Sequence, residues 1–380
     1  MRLSKGLEVE IYTGKPNGEI IGFADRIVRD LDGFVREPDN RNVEYTTAPY
    51  TSYERLLCAI VKPRLKLREY LKTMGDYTLI PGSTLSTGDT KTFYRSDLHN
   101  PYHGYIEQTY HTQVVTASVH INIGIDDPEL LMKACRLIRV EAPLFLALSA
   151  SSPFLDHQTT GFHSTRWATF PKTPQVVPLF LSHHHFIEWT EEQLQLGTMQ
   201  NIRHLWCSVR PNGDHRPYNL NRLELRICDL VVDPMALLAI VAFLEARLLQ
   251  LFQEGELLDP VKVSTFSPQE LIDISDRNEQ LASTHSLDAQ LTHWRDGSTI
   301  TARDWIEGIY PGVWQVAQAA GFGQFLTPLT SILQEGNMAE QWLQSHHQGS
   351  SVSEILQREI TIAHHQEQQL EDRLCQTIVI

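Results

Sequence analysis

The sequence contains little of what several protein classes require. It has five cysteines among 380 residues, scattered and without a CxxC spacing, which argues against a zinc site or a disulfide framework and favours a reducing compartment. The first residues, 1–5, form no apolar run of the kind that opens a signal peptide. The longest apolar runs, around Met235–Leu244 and Pro143–Leu148, are too short to span a bilayer. We therefore expect a cytoplasmic protein without a membrane partner.

Positive charge and the common nucleotide motifs are also scarce. Lysine and arginine total 32 against 46 acidic residues, a formal net charge of −14 at pH 7, so nonspecific attraction to nucleic acid is not expected. The chain has no GxxxxGK[ST], GxGxxG, HExxH or GxSxG motif. Any ATP site must therefore be of another type.

What the chain does contain is a set of segments that alternate apolar and polar residues, as a strand with one covered face does. In Gly6–Ile11, Leu7 and Val9 face a core while the acids face the other way. Four such segments, near 6–11, 43–47, 114–124 and 221–229, present polar faces carrying Glu8 and Glu10, Glu44 and Thr46, His120 and Asn122, and Glu224 and Arg226. Taken singly, each side chain has an ordinary explanation as a solvated or hydrogen-bonded strand residue.

Taken together, these side chains predict a metal site. If the four strands share an antiparallel sheet, five metal-competent groups lie on its open face: Glu8, Glu10, Glu44, His120 and Glu224. Several carboxylates with one imidazole suit Mg²⁺ or Mn²⁺. Arg226, two residues after Glu224, suits a phosphate through its fork of donors. Divalent ions flanked by an arginine are typical of sites that catalyse phosphoryl transfer.

Helical patterns fill much of the remaining chain. They predict helices near 20–31 and from Ser52 to Met74, where Pro63 is expected to kink or divide the helix. Further helices are predicted from Asp127 to about Ala150 and from Pro234 to about Phe252. Beyond Pro260 the patterns predict helices only, and the last helix has a capping-box candidate at Ser351. The run His183–His185 cannot turn three adjacent side chains to one ion, so it is a poor metal site.

The chain resembles the carboxylate–amine ligase family, which includes the plant and bacterial glutamate–cysteine ligases, and looks most like the cyanobacterial form. The resemblance rests on the acidic strand segments, taken in order, and on a long loop. In that loop Ser152-Pro153-Phe154 is followed by Gly161-Phe162-His163-Ser164-Thr165-Arg166. The family often has a second histidine where this chain has Asn122, so a second imidazole at the site is in doubt.

The resemblance implies an α+β fold similar to glutamine synthetase: a curved, mainly antiparallel sheet forming a funnel, with helices outside. It implies one ligase domain over 1–380, with the sheet in about 1–235 and helices in about 236–380. It also implies ATP-dependent joining of glutamate and cysteine through a γ-glutamyl phosphate, the first step of glutathione synthesis. A related ligase with another amine acceptor, a metal-dependent phosphoesterase and a non-catalytic nucleotide-binding protein remain alternatives.

The same resemblance implies residue roles. Glu8, Glu10, Glu44, His120 and Glu224 would hold magnesium, with Glu8 and Arg226 essential to catalysis. Arg166 would bind a carboxylate of glutamate. Arg210, Asn122 and Thr46 are weaker nucleotide-binding candidates. The cysteine pocket, the number of metal ions and the oligomeric state are not predicted.

Overall fold

The computed structural model describes residues 2–376 and 378. Its strands are β1 (Lys5–Gly14), β2 (Phe34–Arg36), β3 (Asn42–Thr46), β4 (Thr78–Ile80), β5 (Val119–Gly124), β6 (Phe154–Leu155), β7 (Gln158–Thr159), β8 (Val209–Asn212), β9 (Arg222–Leu225), β10 (Gln290–Thr292) and β11 (Thr299–Thr301). Its helices are α1 (Ala24–Asp30), α2 (Tyr53–Met74), α3 (Pro101–Tyr110), α4 (Pro128–Ser149), α5 (Thr165–Thr169), α6 (His183–Leu196), α7 (Pro234–Glu254), α8 (Pro260–Val263), α9 (Pro268–His285), α10 (Ala302–Ala320), α11 (Pro328–Glu335), α12 (Met338–His347) and α13 (Val352–Leu370).

Seven strands form one antiparallel sheet in the order β2-β3-β1-β5-β9-β8, with β4 paired to β1. The register sets Glu8 opposite both Thr46 and His120 and sets Glu10 opposite Glu44. Asn122 lies opposite Glu224. Directly opposed residues share a face of the sheet. The expected mainly antiparallel sheet, with the four polar segments on one face and helices outside, is therefore confirmed. The division into a sheet-bearing and a helical part of one domain stays a prediction.

The other face of the sheet is the core. Leu7, Val9, Ile121 and Leu225 are at most 1% exposed, and α4 packs against β8 and β9 and against α7 and α9. Each fully buried aliphatic side chain contributes roughly 1.5–3 kcal/mol. This covered face fixes the sheet, so the side chains of the opposite face are held in place whatever binds there.

The predicted helix starts are observed. Asp127 caps α4 by accepting a hydrogen bond from the Leu130 amide at 2.9 Å, and Pro128 occupies the first turn. Ser351 and Glu354 form a reciprocal capping box at the start of α13. Pro63 lies inside α2 without dividing it, because the helix is packed along the core on both sides of the proline.

Two secondary-structure expectations were wrong. The region after Pro260 contains the hairpin β10–β11, whose turn includes Gly297 at a φ of +80°, a value that glycine adopts readily. Strands of three residues are too short for an alternating pattern to reveal them. The predicted strand over 114–124 is also shorter: regular pairing covers only β5, and residues 111–114 form a turn of 3₁₀ helix.

The expectation against disulfides was also wrong. Cys58 and Cys375 are bonded, with their Sγ atoms 2.16 Å apart and their positions 317 residues apart in sequence. Cys58 lies in α2, and Cys375 ends a π-helical turn, Glu371–Cys375, that packs against α2. Cys135, Cys207 and Cys228 are buried free thiols. Because two of the five cysteines are bonded, the spacing of the cysteines no longer favours a reducing compartment.

One described helical stretch, Pro234–Val263, is long and apolar enough to cross a membrane, with a mean hydropathy of 1.9 over its most apolar window. The helix is longer than the short apolar run that the sequence analysis considered. However, 78% of that window is buried inside the protein, as in the core helix of a globular fold.

Candidate active site

A cavity of about 850 Å³ lies over the open face of the sheet, within the usual size range of ligand sites. Its lining includes acids from β1, from β3 and from the residue after β2. It also includes arginines from β8, from β9 and the residue after it, and from the loop between these strands, which we call the arginine wall. A second cavity of about 400 Å³ adjoins it and shares Glu8, Thr46, Asp214 and Arg222. The two spaces together provide room for more than one small ligand.

Glu8, His120 and Glu224 form the first acidic group in this cavity. Each offers a ligand atom, and these atoms all lie within 4.8 Å of one another. His120 Nδ1 lies 3.0 Å from Glu8 Oε2 and 3.8 Å from Glu224 Oε1. Three adjacent strands therefore bring together three residues that are far apart in the sequence.

Two carboxylates of this group remain ionised. Burial would raise the pKa of Glu8, but the hydrogen bond with His120 and the charges of His120 and Arg226 keep that pKa below its ordinary value. Burial also acts against the Glu224 charge, yet Arg210, Arg226 and His120 hold the pKa of Glu224 well below its usual range. The group thus offers negatively charged oxygens at neutral pH.

Glu10, Glu37 and Glu44 form a second group, again with ligand atoms within 4.8 Å of one another. Burial and the charges of Glu8 and Glu10 raise the pKa of Glu44 to about 8. Burial and the charges of Glu10 and Glu44 raise the pKa of Glu37 well above its ordinary value. Three carboxylates in one place repel each other unless a proton or a cation lies among them.

Glu37 is the residue that sequence reasoning missed. It directly follows β2, whose residues Val35 and Arg36 pair with Glu44 and Val43, and it precedes Pro38. A three-residue strand shows no usable alternation. The available signal was Val35-Arg36-Glu37 before a proline, close in sequence to the predicted strand with Glu44, which is compatible with an edge strand.

The donor set of the two groups fits divalent cations. Carboxylate oxygens with one imidazole are the ligands that Mg²⁺ and Mn²⁺ accept, and the raised pKa values of Glu37 and Glu44 mark a place where positive charge is lacking. The predicted ligands Glu8, His120 and Glu224 meet in one group and Glu10 and Glu44 in the other. Their role as metal ligands stays a prediction.

The arginine wall is tied to Glu224. Arg210 donates from Nε and Nη2 to its two carboxylate oxygens at 2.7 and 3.1 Å, and Asn212 donates from Nδ2 at 2.7 Å. Arg226 donates to the same carboxylate from Nη1. Glu224 therefore positions two guanidinium groups that line the cavity, and a metal ion bound by Glu224 would have to replace part of this bonding.

Of the weaker candidates, Asn122 lines the second cavity and Thr46 lies where the two cavities meet. Asn122 donates from Nδ2 to Glu8 Oε1 at 3.1 Å, and its buried Oδ1 has no hydrogen-bond partner among the described residues. Thr46 is exposed and borders both cavities. Both residues are placed to contact a ligand, and the proposed nucleotide contact of each remains a prediction.

Arg166 is buried, with 2% exposure. Its Nη1 and Nη2 donate to the backbone carbonyls of Ile227 and Arg226 at 3.0 and 2.9 Å, and its Nη1 lies 3.5 Å from Asp229. Arg166 thereby holds the chain that follows β9 while it lines the cavity. Its contact with a substrate carboxylate stays a prediction.

The histidine run has structural partners. His183–His185 begins α6, capped by Ser182. His183 Nε2 lies 2.8 Å from the carbonyl of Pro217, and His184 pairs with Glu188 at the surface. Among the described residues, neither metal-competent group includes these histidines.

Comparison with solved structures defines the class of fold. A bifunctional glutathione synthetase from Pasteurella multocida superposes with a TM-score of 0.73 at 15% identity, over 98% of this chain and 53% of that protein. A glutamate–cysteine ligase from Francisella tularensis, solved in complex with AMP, gives a TM-score of 0.70 at 10% identity, over 100% and 96% of the two chains. At such identities the likeness establishes a shared fold.

Sequence comparison identifies the family. The profile of glutamate–cysteine ligase family 2 matches residues 4–371, and this chain belongs to that family. Two relatives carry the name "Putative glutamate--cysteine ligase 2": one from Sorangium cellulosum is 30% identical over 59% of this chain and 58% of the relative, and one from Solibacter usitatus is 26% identical over 63% and 60%. The match thus spans less than two thirds of each relative's length.

Proposed function

We propose that this protein is an ATP-dependent glutamate–cysteine ligase that forms γ-glutamylcysteine. The observation that carries the proposal is the pair of acidic groups, Glu8–His120–Glu224 and Glu10–Glu37–Glu44, which line one cavity together with the arginine wall. Membership of glutamate–cysteine ligase family 2 supports the choice of substrates. Formation of this dipeptide is the entry to glutathione synthesis.

The reaction proceeds in two steps. A side-chain carboxylate oxygen of glutamate attacks the γ-phosphorus of ATP, the bond from that phosphorus to the β–γ bridging oxygen breaks, and ADP leaves. The product is γ-glutamyl phosphate. The amino nitrogen of cysteine then attacks the acyl carbon, phosphate departs with its bonding electron pair, and the nitrogen loses a proton. Such chemistry requires positioning and charge neutralisation rather than a protein nucleophile.

Two acidic groups imply places for two magnesium ions. Glu8, His120 and Glu224 would hold one, and Glu10, Glu37 and Glu44 the other. Bound there, the metal would neutralise phosphate oxygens and orient them. The protein supports this arrangement directly: Ser118 donates to Glu10 Oε2 at 2.7 Å, and the bond between His120 and Glu8 fixes both side chains.

The arginine wall serves the transferred group. Arg226, with its pKa raised above its already high ordinary value by Glu224 and Glu8 despite burial, is always a cation. We propose that Arg226 stabilises negative charge on the phosphoryl group during its transfer. Arg210 keeps Glu224 charged and in place, and Arg166 is assigned to a carboxylate of glutamate, next to the chain that it positions after β9.

The test is release of ADP with MgATP, glutamate and a panel of amines, with the product identified by mass spectrometry. We expect turnover to require both glutamate and cysteine. Equal turnover with another amine would assign a different acceptor, and phosphate release without glutamate would favour the phosphoesterase. Tight MgATP binding without any turnover would favour a nucleotide-binding protein.

Glu8→Ala is the matching variant, with Glu188→Ala on the surface of α6 as its control. The first should lose activity with little change in the free energy of unfolding, and the second should retain both. Full activity in Glu8→Ala would contradict the role given to Glu8.

A further inference from the structure

The open face of the sheet is divided by charge. Across the order β2-β3-β1-β5-β9-β8, the acids Glu37, Glu44, Glu10 and Glu8 occupy the first half and His120 the middle. Arg226, Arg222 and Arg210 occupy the second half, where Glu224 is paired with two of them. A ligand with several anionic groups can therefore touch metal ions at one end and guanidinium groups at the other.

The arginines of this cavity differ in how they are paired. Five of them have an acid within 4.0 Å: Arg36 with Asp97, Arg166 with Asp229, Arg210 and Arg226 with Glu224, and Arg222 with Asp214. Arg203 is exposed to solvent, so water satisfies it. Arg216 is the remaining one.

Arg216 is partly buried and has no ion pair among the described residues. Its Nη1 is enclosed and has no hydrogen-bond acceptor. Burial and the positive charges of Arg210, Arg226 and Arg222 lower the pKa of Arg216 to about 10. A buried donor without an acceptor is costly. Nearly all buried donors in native proteins are hydrogen-bonded, so we expect a ligand to supply the acceptor for Nη1.

The loop that carries Arg216, residues 213–221, is held tightly. A side chain at Gly213 would clash with the backbone carbonyl oxygen of Asn219, so the start of the loop requires glycine. His183 bonds the carbonyl of Pro217, and Tyr218 donates from its hydroxyl to Glu191 at 2.6 Å. Both tethers come from α6. The guanidinium is thus presented to the cavity by an anchored backbone.

We propose that Arg216 binds an anionic oxygen group, a carboxylate or a phosphate, of a ligand in the main cavity. The inference rests on the proposed function, which supplies such groups as the α-carboxylates of the amino acids and the phosphates of ATP. A guanidinium matches either group through two parallel N–H donors. Binding supplies the acceptor that Nη1 lacks.

The experiment compares wild type with Arg216→Gln, Arg216→Lys and the control Arg203→Gln, which removes the solvent-exposed arginine of the same cavity. Steady-state kinetics give KM separately for ATP, glutamate and cysteine, and calorimetric titration of MgATP and of glutamate gives binding without turnover. Thermal unfolding is measured for each variant without ligand.

We expect Arg216→Gln to raise KM, and the matching Kd, for one substrate by about 10- to 100-fold, and to leave the melting temperature equal or higher. The affected substrate identifies the anion: ATP for phosphate, glutamate or cysteine for carboxylate. Arg216→Lys should recover only part of the loss, because an ammonium group cannot form a bidentate contact. Arg203→Gln should resemble wild type.

Unchanged KM and Kd for every substrate in Arg216→Gln would overturn the proposal, as would a fall in melting temperature with normal affinities. Wild-type protein without ligase turnover would instead count against the proposed function, and in that case titration with MgATP alone still decides whether Arg216 binds phosphate.

Discussion

Buried charges in this protein occur in two arrangements. Among the outer helices, Glu141 of α4 accepts from Nε and Nη2 of Arg247 of α7 at 2.8 and 2.7 Å, and Arg136 pairs in the same way with Asp259. In the cavity, and within the described part of the chain, Glu10, Glu37 and Glu44 lie together without such a closed partner set, and Arg216 lacks an acceptor for Nη1.

The difference separates structural from ligand-binding charge. A buried pair whose donors and acceptors are all used needs nothing further, and loss of one member is severe because the other is left charged in a dry place. Charges left incomplete on the wall of a cavity raise the free energy of the empty protein, and a ligand or cation relieves that cost. The following predictions test this contrast.

The largest effect is expected from Glu141→Gln among the helices. Arg247 would remain buried without its counterion, and the free energy of unfolding should fall by about 3–5 kcal/mol, measured by urea denaturation. The double variant Glu141→Leu with Arg247→Met should recover most of this loss. An unchanged stability in the single variant would show that the pair is not a structural element.

Glu10→Gln makes the equivalent change in the cavity, and the outcome should be opposite. It removes one of three repelling carboxylates, so the free energy of unfolding should stay equal or rise. Ligase activity should fall by about 100- to 1000-fold, because a predicted metal ligand is lost. A loss of stability as large as that of Glu141→Gln would remove the distinction between the two regions.

The disulfide belongs to the outer layer and gives the next effect. Reduction of the Cys58–Cys375 bond should lower the free energy of unfolding by about 3 kcal/mol, since the reduced chain gains freedom when unfolded. Activity at temperatures where the protein stays folded should be unaffected. The reductant should leave the stability of Cys375→Ser unchanged, and any effect there would point to another target.

The smallest effect is a dependence of stability on pH in metal-free protein. The pKa of Glu44 is raised to about 8 from an ordinary value near 4.5, so between these values the folded state binds more protons than the unfolded state, and stability falls as pH rises. We expect a loss of about 2 kcal/mol between pH 6 and pH 8. It should be smaller in Glu44→Gln, where Glu37 still has a raised pKa, and reversed by millimolar Mg²⁺, as followed by thermal unfolding in EDTA or in magnesium.

Strand alternation was sufficient to predict which side chains share the open face. The register of β1 with β3 and β5 places Glu8, Glu10, Glu44 and His120 as the period of two requires, and the caps at Asp127 and Ser351 start the predicted helices. These features depend on residues close together in the chain, so a single sequence contains them.

Only the tertiary structure decided which residues contact each other. Glu37 joins Glu10 because β2 lies at the sheet edge beside β3, Cys58 meets Cys375 across 317 residues, and Arg210 is bonded to Glu224 while Arg216 is left without an acceptor. Local periodicity sets the face on which a side chain lies. The order of strands and the packing of distant helices determine which charges meet, and those are properties of the whole folded chain.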